Sequence, residues 1–146
     1  MEVFNLYIAG AMSGIPHTTY KPRRNNIKNK LENYYNNNSN SYPYILYVTD
    51  PSDYYNYDNQ VHKSEKEVMN FELNRVRHSN LIVVDFYESY SLGTMTELTV
   101  AHEHRIPIIG INDRENVLHP WQIEMCERIF NSIDDAVMYI GEFYLS

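Results

Sequence analysis

The stretch NLIVVDF, residues 80–86, decides the fold. Its apolar residues run without a break instead of alternating with polar ones. This pattern predicts a strand buried on both faces, as in a parallel sheet that is covered by helices. A second run of this kind, RIPIIGI, follows at 105–111. Between the two, residues 94–104 predict a helix with Leu98 and Ala101 facing the core. Strand, helix and strand in this order indicate a parallel α/β unit.

The rest of the chain repeats this alternation. Short apolar runs predict two more strands, at 2–9 and 42–48. Helical patterns occur at 18–37, 61–79, 119–130 and 132–145. We therefore expect one domain over residues 1–146. Its fold class is α/β: a single doubly wound parallel sheet of four to five strands with helices on both faces, flavodoxin-like or Rossmann-like.

The composition narrows the class of protein. Of 146 residues, 43% are hydrophobic and 21% are charged, as is ordinary for a globular domain. The net charge of −7 argues against binding of a nucleic-acid polymer but still allows a small anion held by backbone amides. The chain has one cysteine, no apolar run near ~20 residues and no basic leader. We expect a cytoplasmic protein without a membrane partner.

The strand order suggests where a ligand would bind. In a doubly wound sheet, ligands lie beyond the carboxyl ends of the strands, where the strand order reverses. Segments 9–20, 49–60 and 85–97 follow predicted strands in this way. The first contains the turn Gly10–Gly14, which matches neither the dinucleotide pattern GxGxxG nor the P-loop. From its residues alone, this turn is either a plain loop or a phosphate cradle.

Segment 85–97 places a carboxylate on the first turns of a helix. Ser91, Gly93 and Thr94 lie at the helix entry, where free backbone N–H groups favour anions. Glu97 follows Gly93 by four residues, so the two share one helix face. The positive end of the helix should keep Glu97 ionised. An ionised carboxylate beside a sugar can attack the anomeric carbon. The alternative is a surface acid next to an ordinary helix cap.

Two stretches, LYIAGAMSG at 6–14 and SNLIVVDFYESYSLGTMTELTVAHEHRIPIIGI at 79–111, together resemble the nucleoside 2-deoxyribosyltransferase superfamily. That superfamily includes the 2′-deoxynucleoside 5′-monophosphate N-glycosidases. The likeness is weaker at HPW, 119–121, and in the final helix, and slight over 20–60. The resemblance implies that Glu97 is the nucleophile of a covalent deoxyribosyl-enzyme and that the Tyr7 hydroxyl orients it.

The resemblance also implies a substrate-binding set. Its turn Gly10–Gly14 would lie along the sugar and its 5′ end, and Gly93 would let the backbone approach the ligand. The full set is Gly10, Met12, Ser13, Gly14, Asn80, Ser91, Gly93, Thr94 and His119. Ser91 matches a position that is Asp in the nucleoside transferases and Ser in the monophosphate hydrolases. Because Ser is uncharged and donates a hydrogen bond, it favours a 5′-monophosphate.

One position departs from the family pattern. The resemblance implies an Asp before the central strand that handles the proton of the departing base, and this chain has Asn80 there. An amide cannot act as a general acid, so the proton would come from Asp85, Glu88 or water. We therefore take Asp85 as a third catalytic candidate, although it could equally cap the strand end. A binding-only relative is the other explanation for Asn80.

Several further residues have plainer interpretations. His102 and His104 are two apart, which does not match a helical metal site, so we expect no metal and no cofactor. Arg23 and Arg24 are expected on a solvated helix face. Tyr54, Tyr55 and Tyr57 could stack on a base or belong to a surface loop, and Cys126 is expected to be a helical core thiol. His119 would act across a subunit interface, which implies a homo-oligomer.

The resulting hypothesis is a hydrolase that acts on a small molecule, a deoxynucleotide or a deoxynucleoside. It would cleave the base from a 2′-deoxynucleoside 5′-monophosphate through Glu97. One alternative is a transferase that exchanges bases between deoxynucleosides. Another is a non-catalytic nucleotide-binding module. A glutamate at a glycosidic centre also permits an NAD-glycohydrolase-like activity by analogy of fold alone.

Overall fold

The computed structural model describes residues 2–38, 42–54 and 63–146. Within these residues the chain forms a five-stranded, wholly parallel sheet in the order β2-β1-β3-β4-β5. The strands are β1 (Glu2–Gly10), β2 (Tyr44–Thr49), β3 (Leu81–Asp85), β4 (Ile108–Ile111) and β5 (Arg128–Phe130). The helices are α1 (His17–Asn38), α2 (Glu65–Arg77), α3 (Leu92–Glu103), α4 (Pro120–Met125) and α5 (Ile133–Ile140). The predicted doubly wound α/β class is confirmed.

Helices cover both faces of this sheet, and β1 shows why. Alternate residues of a strand point to opposite faces. Phe4, Leu6 and Ile8 pack into one core with residues of α1 and α5, while Tyr7 and Ala9 pack into the other with residues of α2 and α3. The residues of β3 are buried throughout, as its unbroken apolar run predicts.

The strand order places a crevice between the ends of β1 and β3. From β1 the chain moves outward to β2 on one side and returns to β3 on the other, so the order reverses at this point. Gly10 closes β1 opposite Asp85 with a φ of 154°. A Cβ atom at Gly10 would lie 3.1 Å from the carbonyl oxygen of Asp85. Glycine therefore suits both the backbone angle and the close approach of the two strand ends.

The single helix predicted over 119–130 is wrong. Pro120 begins α4 as expected, but the helix ends at Met125 and Cys126 is already extended. Arg128–Phe130 then form β5, which pairs in parallel with β4. An edge strand satisfies backbone groups of β4 that a longer helix would leave without partners. Cys126 is thus not helical, and burial raises the pKa of its thiol to about 12.

Three other expectations are affected by the observed elements. Arg23 and Arg24 do not lie on a solvated face of α1, because Arg23 is paired with Asp85 and Arg24 is 3% exposed. Tyr54 packs edge-on against Phe71, whereas Tyr55 and Tyr57 lie outside the described residues. In the described part of the chain, no helix has the length and apolarity needed to cross a membrane.

Candidate active site

A cavity of about 430 Å³ opens at the carboxyl edge of the sheet. The turn after β1 forms one side of it, the first turns of α3 form another, and α2 closes the third. Its lining residues are Gly10, Met12, Ser13, Glu65, Val68, Met69, Glu72, Leu73, Ser91, Leu92, Gly93, Thr94, Thr96 and Glu97. The volume is in the range typical of sites for small molecules.

Glu97 and Tyr7 form a buried pair at the base of this cavity. Tyr7 on β1 is fully buried and Glu97 on α3 is 8% exposed. The Tyr7 hydroxyl donates a hydrogen bond to Oε2 of Glu97. Because β1 and α3 are both packed in the same core, the pair is held by rigid elements rather than by loops. Only one carboxylate oxygen is engaged by this contact, which leaves Oε1 available to a ligand.

The expectation that Glu97 stays ionised is not met in the empty site. Burial raises the pKa of Glu97 to about 8, and the charge of Glu72 raises it further in the same direction. The hydrogen bond from Tyr7 and the charge of Arg24 act in the opposite sense. The loss of hydration at a buried carboxylate therefore outweighs the favourable start of α3.

Glu72 is a site residue that the sequence analysis missed. It lies on α2, lines the same cavity, and has its pKa raised to about 7, chiefly by burial. The signal was present in the sequence, since Val68, Glu72 and Val76 follow one another at intervals of four. Val68 and Val76 are buried on this helix. An acid in the middle of an apolar helix stripe indicates a carboxyl that is held out of water.

The turns beside these acids supply neutral hydrogen-bonding groups. Ser91 caps α3, because its Oγ accepts a hydrogen bond from the Thr94 backbone N–H at 3.3 Å. Its own O–H remains able to donate toward the cavity. The Thr94 hydroxyl oxygen is buried and makes no hydrogen bond to any residue that the structure describes. Gly14 has a φ of 78° and turns the chain just beyond the lining residues.

Three of the expected site residues lie away from the cavity. Asp85 is held by Arg23, whose Nε and Nη2 donate to its two oxygens, each at 2.8 Å. Asn80 precedes β3, at the opposite edge of the sheet, where its side chain accepts from the Asn5 backbone N–H. His119 caps α4 by accepting from the Trp121 N–H. Its contribution across a subunit interface stays a prediction.

The electrostatic character of the cavity is acidic. Glu65, Glu72 and Glu97 line it, and no lysine or arginine is found among its described lining residues. The described part of the chain also has no group of three His, Cys, Asp or Glu residues that could hold a metal ion. What the site offers is therefore two buried carboxyl groups, a phenol and the donors of two turns.

Comparisons with solved structures identify the fold. The sequence matches no protein-family model and no curated protein. Among structures, a 2-deoxyribosyltransferase from Bacillus psychrosaccharolyticus superposes with a TM-score of 0.68 at 13% identity, covering 92% of this chain and 91% of that one. The chain has the 2-deoxyribosyltransferase fold.

Two further structures share this fold. The 2-desoxiribosyltransferase from Leishmania mexicana has a TM-score of 0.58 at 18% identity, over 97% of this chain and 99% of its own. The CMP N-glycosidase BcmB from Clostridium botulinum has a TM-score of 0.61 at 13% identity, over 95% and 99%. The deoxyribosyltransferase fold thus extends along nearly the whole length of each chain.

Proposed function

We propose that this protein is an N-glycosidase that releases the base from a 2′-deoxynucleoside 5′-monophosphate, with Glu97 as nucleophile. The observation that carries the proposal is the buried Tyr7–Glu97 pair, which lies in one cavity with a second buried acid, Glu72. A nucleophilic carboxylate and a proton donor are the two groups that glycosidic cleavage requires. Similarity of fold to deoxyribosyltransferases and to a CMP N-glycosidase supports the same reaction class.

The first step forms a covalent intermediate. A carboxylate oxygen of Glu97 attacks C1′ of the sugar, and the bond from C1′ to the base nitrogen breaks with its electron pair passing to the base. Glu72 gives its proton to the departing base, the role that Asn80 cannot fill. Tyr7 donates to Glu97 throughout and keeps the carboxylate in one orientation.

The second step returns the enzyme to its starting state. Glu72, now ionised, takes a proton from a water molecule, and the resulting hydroxide attacks C1′. The ester bond to Glu97 breaks and restores its carboxylate, while 2-deoxyribose 5-phosphate leaves. The same residue thus serves first as acid and then as base, as in retaining glycosidases.

The preference for a monophosphate rests on the donors at the entry to α3. Ser91 lines the cavity with a hydroxyl that can donate, and the start of a helix favours a negative charge. The raised pKa values of Glu72 and Glu97 also reduce the negative charge that a phosphate would meet near neutral pH. The turn Gly10–Gly14, with Ser13, lies on the same side and would border the 5′ end.

A transferase that exchanges bases between deoxynucleosides is the second candidate. It would use the same first step, and a second base would replace water in the next. The fold similarity to 2-deoxyribosyltransferases favours it. The binding-only alternative was based on Asn80, and it loses that motivation because Asn80 lies at the far edge of the sheet while Glu72 lines the cavity.

Incubation with paired deoxynucleosides and their 5′-monophosphates, followed by chromatography of the free base, tests the proposal. We expect base release from monophosphates and a loss of at least about 10³-fold in Glu97→Gln, because a catalytic carboxylate is removed. Glu103→Gln, an exposed acid at the end of α3, is the matched control. Full base release by Glu97→Gln would overturn the mechanism. Exchange with an added free base would identify the transferase.

A further inference from the structure

β1 extends past the end of its neighbour β2. The last pair between them is Tyr7 with Thr49, whereas β1 continues to Gly10 alongside β3. Carbonyls two residues apart in a strand point to the same side. The carbonyls of Ile8 and Gly10 therefore face the side where β2 has already ended. Buried carbonyls in this position need another partner.

Arg24 of α1 is that partner. Its Nη1 donates to the Ile8 carbonyl at 3.0 Å, and its Nη2 donates to the Gly10 carbonyl at 2.6 Å. Nη1 also pairs at 3.0 Å with Asp50, the residue directly after β2, which is 1% exposed. One guanidinium thus joins α1 to the ends of both strands. A planar fork of donors is suited to several acceptors at fixed angles, unlike an ammonium.

The same guanidinium places a permanent positive charge below the acidic cavity. Titratable groups face this region from every neighbouring element: Tyr7 on β1, Glu72 on α2 and Glu97 on α3. The charge of Arg24 lowers the pKa of each of these three groups. Asp50 and Asp85 stand at the ends of β2 and β3, and Lys21 of α1 lies 3.8 Å from Asp50.

We propose that Arg24 is a positioning residue for the reaction proposed above: it holds the Gly10 turn against the sugar side of the cavity and supplies the positive charge that favours an ionised nucleophile. The two roles are separable. The first needs the fork of the guanidinium, and the second needs only its charge. Arg24 itself does not line the cavity, so it acts through Gly10 and through the field on Glu97.

Three variants separate these roles. Arg24→Lys keeps the charge but loses the fork. Arg24→Gln combined with Asp50→Asn removes the charge without leaving Asp50 as a buried carboxylate, which would endanger folding. Asp50→Asn alone is the matched control, because it keeps Arg24. Circular dichroism establishes that each variant is folded, and ¹³C NMR of the glutamate carboxyl carbons follows the titration of Glu97 and Glu72.

For Arg24→Lys we expect kcat to fall about 10- to 100-fold at an unchanged titration midpoint, because the Gly10 turn shifts while the charge remains. For the double variant we expect the Glu97 and Glu72 midpoints to move to higher pH, and for Asp50→Asn we expect no such rise. Unshifted midpoints in the folded double variant, or an equal rise in Asp50→Asn, would overturn the role of the charge. A wild-type kcat in Arg24→Lys would overturn the role of the fork. The NMR titration needs no turnover, so it remains decisive even if wild-type protein releases no base.

Discussion

At the scale of single residues, the site is defined by two carboxyl groups that are both held out of water. Glu97 is buried among the core residues of α3, and Glu72 interrupts an apolar stripe of α2. Their pKa values are raised to about 8 and about 7. Because each raises the proton affinity of its neighbourhood, the pair titrates as a unit over a narrow range. Near neutral pH it holds about one proton.

This pairing predicts a bell-shaped dependence of kcat/KM on pH. The reaction needs one ionised and one protonated carboxyl group. Below about pH 7 both groups are protonated and the nucleophile is lost, while above about pH 8 both are ionised and the acid is lost. In Glu72→Gln the alkaline limb should disappear. The acid limb should move to lower pH, because the Glu72 charge that raises the pKa of Glu97 is removed.

Initial rates of base release between pH 5 and pH 10, at about half-unit intervals, measure both limbs. Glu103→Gln serves as the control and should keep the profile of the wild type. An alkaline limb that persists unchanged in Glu72→Gln would assign the leaving-group acid to another residue.

At the scale of elements, the start of α3 combines a structural and a recognition role in one side chain. Ser91 caps the helix through its Oγ, and it also lines the cavity. Replacement by alanine would change both roles at once, since loss of an N-cap alone costs ~1 kcal/mol. Aspartate, in contrast, is an equally good N-cap residue and differs mainly in its charge.

Ser91→Asp should therefore change specificity and leave the stability nearly intact. We expect kcat/KM for 2′-deoxynucleoside 5′-monophosphates to fall at least about 10-fold, because a second negative charge meets the phosphate. The value for the unphosphorylated deoxynucleosides should fall less or rise. Thermal unfolding should stay within ~0.5 kcal/mol of the wild type. Equal losses for both substrate classes would show that Ser91 does not discriminate the phosphate.

At the scale of the whole molecule, the buried acids link stability to pH. In the unfolded chain Glu97 has its ordinary pKa of 4.5, and in the folded protein its pKa is about 8. Between these values the folded state binds more protons than the unfolded state, so the free energy of unfolding decreases as the pH rises. The contribution is present in full below about pH 4.5 and is lost once the pH has passed about 8.

Glu97→Gln should consequently stabilise the protein at alkaline pH. A neutral amide retains an acceptor for Tyr7 but has no charge to desolvate, so the difference in free energy of unfolding from the wild type should grow in favour of the variant between pH 5 and pH 9. Urea unfolding at the two pH values measures this difference. For the exposed Glu103→Gln the difference should stay constant. A difference for Glu97→Gln that does not change with pH would mean that Glu97 is not buried in its charged form.

Much of the fold followed from local patterns. The unbroken apolar run of β3 predicted a strand covered on both faces, and the alternation of strands and helices predicted a parallel sheet. The region from His119 to Phe130 did not follow, because a short amphipathic helix and a short edge strand have similar apolar content. Only pairing with β4 decides that Arg128–Phe130 are extended.

The site divides in the same way. Glu97, Ser91 and the Gly10 turn could be predicted from the sequence because each belongs to a local motif at the end of a strand or the start of a helix. Tertiary structure alone decided that Asn80 lies at the wrong edge of the sheet and that Asp85 is held by Arg23. It also decided that Glu72, 25 positions from Glu97 in the printed sequence, lines the same cavity. The physical reason is that spacing along a chain specifies which face of one element a side chain occupies. Proximity across elements, and the burial that raises a carboxyl pKa, exist only once the helices have packed on the sheet.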